Sequence, residues 1–382
     1  MLLTEEQTMV RDAVRAYVQD HIAPNAAAWD KHATFPKEQL RGLAQMGCYG
    51  ICVPEQYGGA ALDYVSLAVI LEEIAAGDGA TSTIVSVNNC PVCSILMSFA
   101  SEVQKQKYLV PLAKGDMLGA FCLTEPHVGS DAAALRTTAE LVKTPDGDYY
   151  VLNGVKQFIT SGKNGDVAIV FAVTDKAAGK KGISAFIVET KTPGYVAARV
   201  EEKMGQHASD TAQILFENCR VPAANLLGEE GAGYKMALSG LEGGRIGIAS
   251  QCVGMARAAF EAALRYAKDR TAFGQPIFNH QAVQFRLSDM ATQIEAARQM
   301  ILHAAALKDA GKPCLKEAAM AKLFASEMAE RVCSDAIQVH GGYGYVSDFP
   351  VERIYRDVRV AQIYEGTSDI QKILIGRALA NE

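Results

Sequence analysis

Several familiar signatures are missing from this sequence. Its nine cysteines are an odd number scattered over the whole length, which argues for reduced thiols and against a disulfide framework. The lone CxxC, Cys90-Pro91-Val92-Cys93, lacks the neighbouring ligands of a zinc site and reads as buried, inert thiols. Positive charge is not in excess. The 37 Lys and Arg against 43 Asp and Glu leave a net charge of −6, and no basic block stands out, so general nucleic-acid binding is disfavoured. No GxGxxG is completed, and no Gly-Lys pair is followed by Ser or Thr. None of the seven histidines precedes a Glu, and no GxSxG elbow occurs. Rossmann, Walker, zincin and α/β-hydrolase readings are therefore disfavoured. The longest apolar candidate, residues 60–76, is cut by Asp63, Glu72 and Glu73 and falls short of the ~18 residues of a membrane helix. The first residues carry neither a basic leader nor an apolar signal core. The expected location is a bacterial-type cytoplasm, with a trimmed mitochondrial matrix protein as the alternative.

What is present falls into three stretches. Residues 1–117 read as helical, opened by Thr4-Glu5-Glu6-Gln7 as an N-cap with acidic first-turn residues. Residues 118–229 read as an antiparallel β domain of barrel or sandwich type. Short runs rich in Val, Ile, Thr and Phe are separated by Asp146-Gly147, Asn153-Gly154 and Pro193-Gly194, read as turns. Residues 230–382 return to helix. Val283, Leu287, Met290, Ile294, Ala297 and Ile301 form one apolar stripe, and Val253, Phe260, Leu264 and Ala267 another, as in a four-helix-bundle-type domain. The fold class is α+β: helical domain, β domain, helical bundle.

Four segments carry chemistry. Phe121 to Asp131 takes a strand into a loop of Thr124, Gly129 and Ser130, which offers N–H groups and hydroxyls to a polar ligand. Asp269-Arg270-Thr271-Ala272-Phe273-Gly274 puts a guanidinium and an aromatic ring in the break after a long helix. Gln338-Val339-His340-Gly341-Gly342-Tyr343-Gly344-Tyr345 ends a helix with glycines that let a ligand approach the backbone. In Ile363-Tyr364-Glu365-Gly366-Thr367-Ser368-Asp369-Ile370-Gln371, Ser368 with Gln371 fits a capping box. Glu365 then stands just outside the helix in apolar surroundings that should raise its pKa, as a general base requires. Taken alone, each segment has an ordinary structural reading as a turn or helix cap.

Taken together, TEPxxGSD, DRxAFG, QxxGGxGY and IYEGTS, in this order and spread over essentially the whole chain, resemble the acyl-CoA dehydrogenase family. The segment from Gly243 and the C-terminal third look most like its short-chain and short-branched-chain members, acting on butyryl-CoA and isobutyryl-CoA. The resemblance implies an FAD-containing homotetramer. It places Phe121, Leu123, Thr124, Gly129 and Ser130, with Phe158, Ile159 and Thr160, along the flavin. Many members have Trp where Phe158 stands, and a ring face survives here. Arg270, Phe273 and Gln281 would reach FAD across a subunit interface, Gln338, Val339, Gly341 and Gly342 would lie at its pyrophosphate, and Thr367 and Asp369 on the other side. Glu365 matches the family's base. A smaller group carries the base on the helix near position 244, where this chain has Gly244. Ser130, Glu242, Arg245, Tyr364 and Gly366 fall where the family holds the CoA thioester, and relatives often have Asp at the position of Glu242. Val87, Cys90 and Tyr364 are the candidates for the acyl-pocket floor.

The implied reaction removes the α-proton of an acyl-CoA with Glu365 while the β-hydrogen leaves as hydride to the flavin, giving a trans-2-enoyl-CoA. Electrons would pass to an electron-transfer flavoprotein. No nucleic-acid, membrane or metal role is expected. The alternatives are an acyl-CoA oxidase or monooxygenase of the same fold, which Glu365 disfavours in the monooxygenase case, and a non-catalytic flavin-bearing binding protein. Arg353, Arg356 and Arg359 share one helix face, read as a solvated or subunit-interface surface.

Overall fold

The computed structural model describes residues 1–382. The first helix, Glu5–Tyr17, starts at the expected capping box: Gln7 N donates to Thr4 Oγ1 and Thr4 N donates to Gln7 Oε1. Two core helices follow, Tyr64–Gly77 and Gly79–Val87. One expectation fails here. The helical stretch Gly79–Phe99 is long and apolar enough by length and composition to cross a membrane. It is mostly buried within the fold, and Cys90, at φ −135° and ψ 116°, interrupts its helical backbone. Asn88 and Asn89 disguise its apolar character. Both are buried as connectors: Asn88 donates to Tyr49 O and Leu112 O, Asn89 to Cys48 O and Val85 O. Asn88 also accepts from Gly119 N, tying this core to the first strand. All nine cysteines are free thiols, as expected, and eight of them are buried.

The middle sheet contains β1 (Gly119–Cys122), β2 (Thr138–Val142), β3 (Tyr149–Thr160), β4 (Val167–Val173), β5 (Ile183–Glu189), β6 (Tyr195–Val200), β7 (Thr211–Pro222) and β8 (Leu226–Leu227). Its order is β6-β7-β3-β2-β4-β5-β8, with β1 added beside β4. Most pairs are antiparallel as expected, but β1 runs parallel to β4, and β2 meets β4 in parallel at the single pair Thr138–Val173. The long excursion through β2 and β3 supplies the crossover that parallel pairing needs. Strands β4 and β5 are buried on both faces. Ile169, Phe171 and Ile187 meet Val92, Ile95 and Leu112 of the helical domain, while Val170, Phe186 and Val188 meet Ile214 and Phe216 on the other side. That is why both read as continuous apolar runs. Asp146-Gly147 and Pro193-Gly194 are turns; Asn153-Gly154 is not. It lies inside β3 at a register shift against β7, with Gly154 at φ +151°. The two expected strands are therefore one bulged strand. A second shift, between Lys156 and Ile159, puts Phe158 at φ +59°.

The C-terminal helices Gly233–Asp269, Gln281–Asp309, Leu315–His340 and Ser368–Leu379 form the bundle. Both predicted stripes face its core, and Leu287, Met290, Ile294, Ala297 and Ile301 are all buried. Val65, Ala68 and Val69 from Tyr64–Gly77 enter the same core, so the first and third stretches share one interior. Glu72 and Glu73, which break the apolar pattern of that helix, face arginines from three other helices. Arg257 lies 3.1 Å from Glu72 and 2.7 Å from Glu73, Arg298 lies 2.9 Å from Glu72, and Arg15 lies 2.7 Å from Glu73. The arginines of the 353–359 face are likewise engaged within the chain. Arg353 pairs with Asp78 and Asp357, Arg356 with Asp30 and Glu352, and Arg359 with Glu330.

Removing one partner of a buried pair leaves the other charge uncompensated. Glu73→Ala should therefore cost about 3–5 kcal/mol. Lys372→Ala, which removes two exposed 3.9 Å contacts, with Glu327 and Asp369, should cost less than about 1 kcal/mol. Urea midpoints followed by flavin release compare the two. Equal midpoints would show that the Glu73 cluster contributes no more than a surface pair.

Candidate active site

The site is built where the chain turns from Val351–Val358 into the last helix. Glu365 at φ +49° and Gly366 at φ +95° make this turn. Thr367, not Ser368, caps the helix: Ile370 N donates to Thr367 Oγ1 at 3.3 Å. The expected Ser368–Gln371 capping box is absent. Gln371 instead reaches back over the turn, donating to Gly366 O at 2.9 Å and to Glu365 O at 3.3 Å. Lys322 Nζ also donates to Gly366 O, at 2.7 Å. Both carbonyls of the turn are thus held from the bundle side.

The Glu365 carboxyl lies against the glycine face of Gly233–Asp269. A Cβ at Gly244 would come within 2.1 Å of Glu365 Oε2, so only glycine leaves room for it. Oε2 is buried with no hydrogen-bond partner. Burial pushes the carboxyl up to about 7, while Lys322 and then Arg245 pull it back down. One residue earlier on the helix, a Cβ at Gly243 would lie 3.1 Å from Cys90 Sγ and 3.3 Å from Tyr64 Oη. Of the residues expected near a thioester, Arg245 is only 5% exposed, and its Nε and Nη1 have no partner. Glu242 is held by Lys308 at 2.9 Å and accepts from Cys314 Sγ. The Tyr364 hydroxyl donates into the core, to Gln251 Oε1 at 3.1 Å.

The expected flavin residues fall into two groups. Leu123, Thr124, Gly129 and Ser130 form a loop after β1 that is joined to β3, where Gln157 N donates to Thr124 O at 2.8 Å. Beneath the loop, buried Lys156 donates to Leu123 O and pairs with buried Glu125 at 2.9 Å. Burial pushes the Glu125 carboxyl up, but Lys156 and the Thr137 N–H outweigh it and hold it below the usual range. The bulge turns the Phe158 ring outward, 62% exposed, while Ile159 points into the sheet core. An outward ring face, the hydroxyls of Thr124, Ser130 and Thr160, and the open space around Gly129 suit a flat aromatic group with a polar arm. Phe121 stands edge-on to Phe171 on the inner side of β1.

The second group lies at the far end of the bundle. Arg270, Val339, Gly341, Gly342 and Tyr343 line an open cleft of about 530 Å³. Gly341, at φ +59°, ends the helix there. Gln338 and Gln281 are exposed, and Phe273 stands 96% exposed on a small hairpin. Thr367 is occupied as the cap, and Asp369 is exposed beside it.

An outward ring beside a hydroxyl-rich loop, joined in one chain to a carboxylate with a buried oxygen on a glycine face, fits a site for a flat aromatic cofactor and a proton acceptor in a helical–β–helical fold. The comparisons with known proteins make the class specific. The acyl-CoA dehydrogenase N-terminal, middle and C-terminal domains match residues 4–116, 120–219 and 231–380. The short-chain specific mitochondrial acyl-CoA dehydrogenase of Rattus norvegicus is 46% identical over 98% of this chain and 90% of its own. Butyryl-CoA dehydrogenase from Megasphaera elsdenii superposes with a TM-score of 0.95 at 42% identity, covering 100% of this chain and 99% of that one. A chain of the structure described as the electron transferring flavoprotein of Acidaminococcus fermentans gives a TM-score of 0.97 at 47% identity, each chain fully covered. This chain belongs to the acyl-CoA dehydrogenase family. It is an enzyme of the FAD-dependent acyl-CoA dehydrogenase class.

Two features of the site escape a reading by motif. The Glu125–Lys156 pair hides in a β segment, where a strand lysine reads as a solvent-facing residue. Lys322 does carry a signal: it interrupts the otherwise apolar run of Ala318, Ala321, Ala325 and Met328 on one helix face.

The Gly244 contact yields a direct test. Gly244→Ala should displace the Glu365 carboxyl and slow flavin bleaching by a short acyl-CoA on the order of 100-fold, the scale of a ~1 Å misplacement. FAD content should stay unchanged. Wild-type bleaching in this variant would mean that the close contact has no bearing on the chemistry.

Proposed function

We propose that this enzyme dehydrogenates a short or short-branched acyl-CoA to the trans-2-enoyl-CoA, with Glu365 as the base that removes the α-proton. The observation that carries the proposal is the Glu365 carboxyl itself: packed against Gly244, with Oε2 buried and unpartnered, and pushed up to about 7. A base of that strength is ionised near neutral pH yet keen to take a proton. The Glu365 turn, pinned through its carbonyls, leaves the Glu365 N–H without an acceptor in the chain. That N–H is available to a thioester oxygen, where enolate charge develops as the proton leaves. Tyr64 and Cys90 pack close against Gly243, one residue from the Glu365 contact, which supports a shallow acyl site and a short chain. Ser130, Glu242, Arg245, Tyr364 and Gly366 are the residues assigned to the thioester.

FAD, held by the loop 123–131, Phe158, Ile159 and Thr160, supplies the hydride acceptor when bound. Arg270, Phe273, Gln281, Gln338, Val339, Gly341 and Gly342 are assigned to FAD shared with a second subunit, with Thr367 and Asp369 on the other side. A homotetramer is part of this reading. Its support is the apolar surface left on the segments that flank the cleft, with Phe273 96% and Tyr345 88% exposed. Sedimentation as a single 40.9 kDa chain would remove the shared site. An electron-transfer flavoprotein is the proposed acceptor of the electrons, and a bacterial-type cytoplasm the proposed location. Domain limits at 117/118 and 229/230 complete the reading.

Anaerobic titration with butyryl-, isobutyryl-, 2-methylbutyryl-, isovaleryl- and octanoyl-CoA tests the function. One short thioester should bleach the flavin stoichiometrically, and Glu365→Gln should abolish this. The active base is the carboxylate, so the bleaching rate should fall as pH drops below about 7 and level off above it. No bleaching by any short thioester would sink the substrate assignment, and rapid turnover with oxygen alone would favour an oxidase.

A further inference from the structure

Lys322 lies about two turns into Leu315–His340 and is 0% exposed. Its Nζ donates one hydrogen bond, to Gly366 O at 2.7 Å. No carboxylate lies within ion-pair distance, although a buried ammonium without one is expensive. A neutral side chain could supply that hydrogen bond at less cost. The charge itself therefore requires a use.

The groups around Glu365 suggest one. Lys322 from Leu315–His340 and Arg245 from Gly233–Asp269 are the cations that act on its carboxyl. Cys90 faces it from the segment Asn88–Cys93, and Tyr364 precedes it in the chain. Cys252 stands near Lys322, and Glu242 near Arg245. Both thiols are pushed well above neutrality by burial, so neither contributes charge near pH 7. Arg245 is shared with Glu242, whereas besides the Cys252 thiol Lys322 has no acid but Glu365 acting on it, and no other carboxylate.

We propose that Lys322 is a positioning residue for the base: its ammonium clamps the Glu365–Gly366 turn through the Gly366 carbonyl and places a positive charge behind the Glu365 carboxylate. The proposal rests on the reading of Glu365 as the base. Burial pushes Lys322 down to about 8, so it is still largely protonated at the pH where Glu365 ionises. Taking the charge away leaves desolvation of Glu365 opposed by Arg245 alone, and its pKa must rise.

The test compares Lys322→Met, Lys322→Arg and Glu365→Gln in the FAD-loaded enzyme, with butyryl-CoA as the probe. Bound FAD, thioester affinity and the anaerobic bleaching rate against pH are all measured. Lys322→Met should keep FAD and bind the thioester within a few-fold of wild type. It should bleach on the order of 100-fold more slowly at neutral pH, with the midpoint of its acid limb at higher pH. Lys322→Arg keeps the charge and should hold the midpoint near wild type while the rate falls. An unmoved midpoint in Lys322→Met, whether or not the rate falls, overturns the proposal. So does loss of FAD from both lysine variants, which would make Lys322 a requirement of the fold. Glu365→Gln separates the two readings. If it still bleaches, the base assignment fails; if it is inert while Lys322→Met behaves as wild type, only the lysine proposal fails.

Discussion

A carboxylate with one oxygen buried on the face of a helix constrains everything around Glu365. To reach Gly244 the acid must leave its own chain at φ +49°, a conformation disfavoured for a residue with a side chain by roughly 1–2 kcal/mol. Gly366 at φ +95° continues the bend, and Gln371 and Lys322 hold its carbonyl. The Thr367 cap then starts the next helix. Each of these features depends on the others. Without the cap the tethering glutamine has no fixed place, and without the tethers the strained turn relaxes. With any side chain at 244, the carboxyl has nowhere to go.

The β domain solves a different problem by similar means. A strand that continued its regular alternation would leave the residue at 158 to follow the pleat. The register shift between Lys156 and Ile159 re-aims it, so that Ile159 enters the sheet core and the Phe158 ring faces out. The same shift leaves Lys156 pointing inward, where Glu125 and the Leu123 carbonyl receive its ammonium. The buried pair therefore fastens the Thr124–Ser130 loop to the strand that presents the ring. Its contribution lies in fixing the loop more than in net stability, because desolvating both charges offsets most of their attraction.

Long periodic elements were legible in the sequence, and local irregularities were not. The stripe from Val283 to Ile301 determines a helix whatever its neighbours do, and it folds as read. Asn153-Gly154 has the composition of a hairpin turn, yet pairing with β7 keeps it inside one strand, since a bulge and a turn both use a glycine at positive φ. The stretch 79–99 was passed over in favour of residues 60–76; it carries Asn88 and Asn89, which tertiary hydrogen bonds satisfy in the core. In the site, Glu365 and the glycines announce themselves through motif. Lys322 does not, because its meaning depends on a carbonyl 44 residues away in sequence.

The charges near Glu365 also explain why neither extreme of its environment would serve. Burial alone would push the carboxyl so high that it stayed protonated at neutral pH and could not accept a proton. A direct ion pair would pull it so low that it became a feeble base. Here no cation lies within ion-pair distance of Glu365, yet Lys322 and Arg245 both act on it through the low-dielectric interior. The carboxyl settles at about 7, with the opposing influences leaving it divided between its two forms near neutral pH. The proposed proton abstraction beside a thioester needs a base held in that state: the glycine at 244 leaves the carboxyl room against the helix that carries Arg245, while Lys322 acts on it from Leu315–His340.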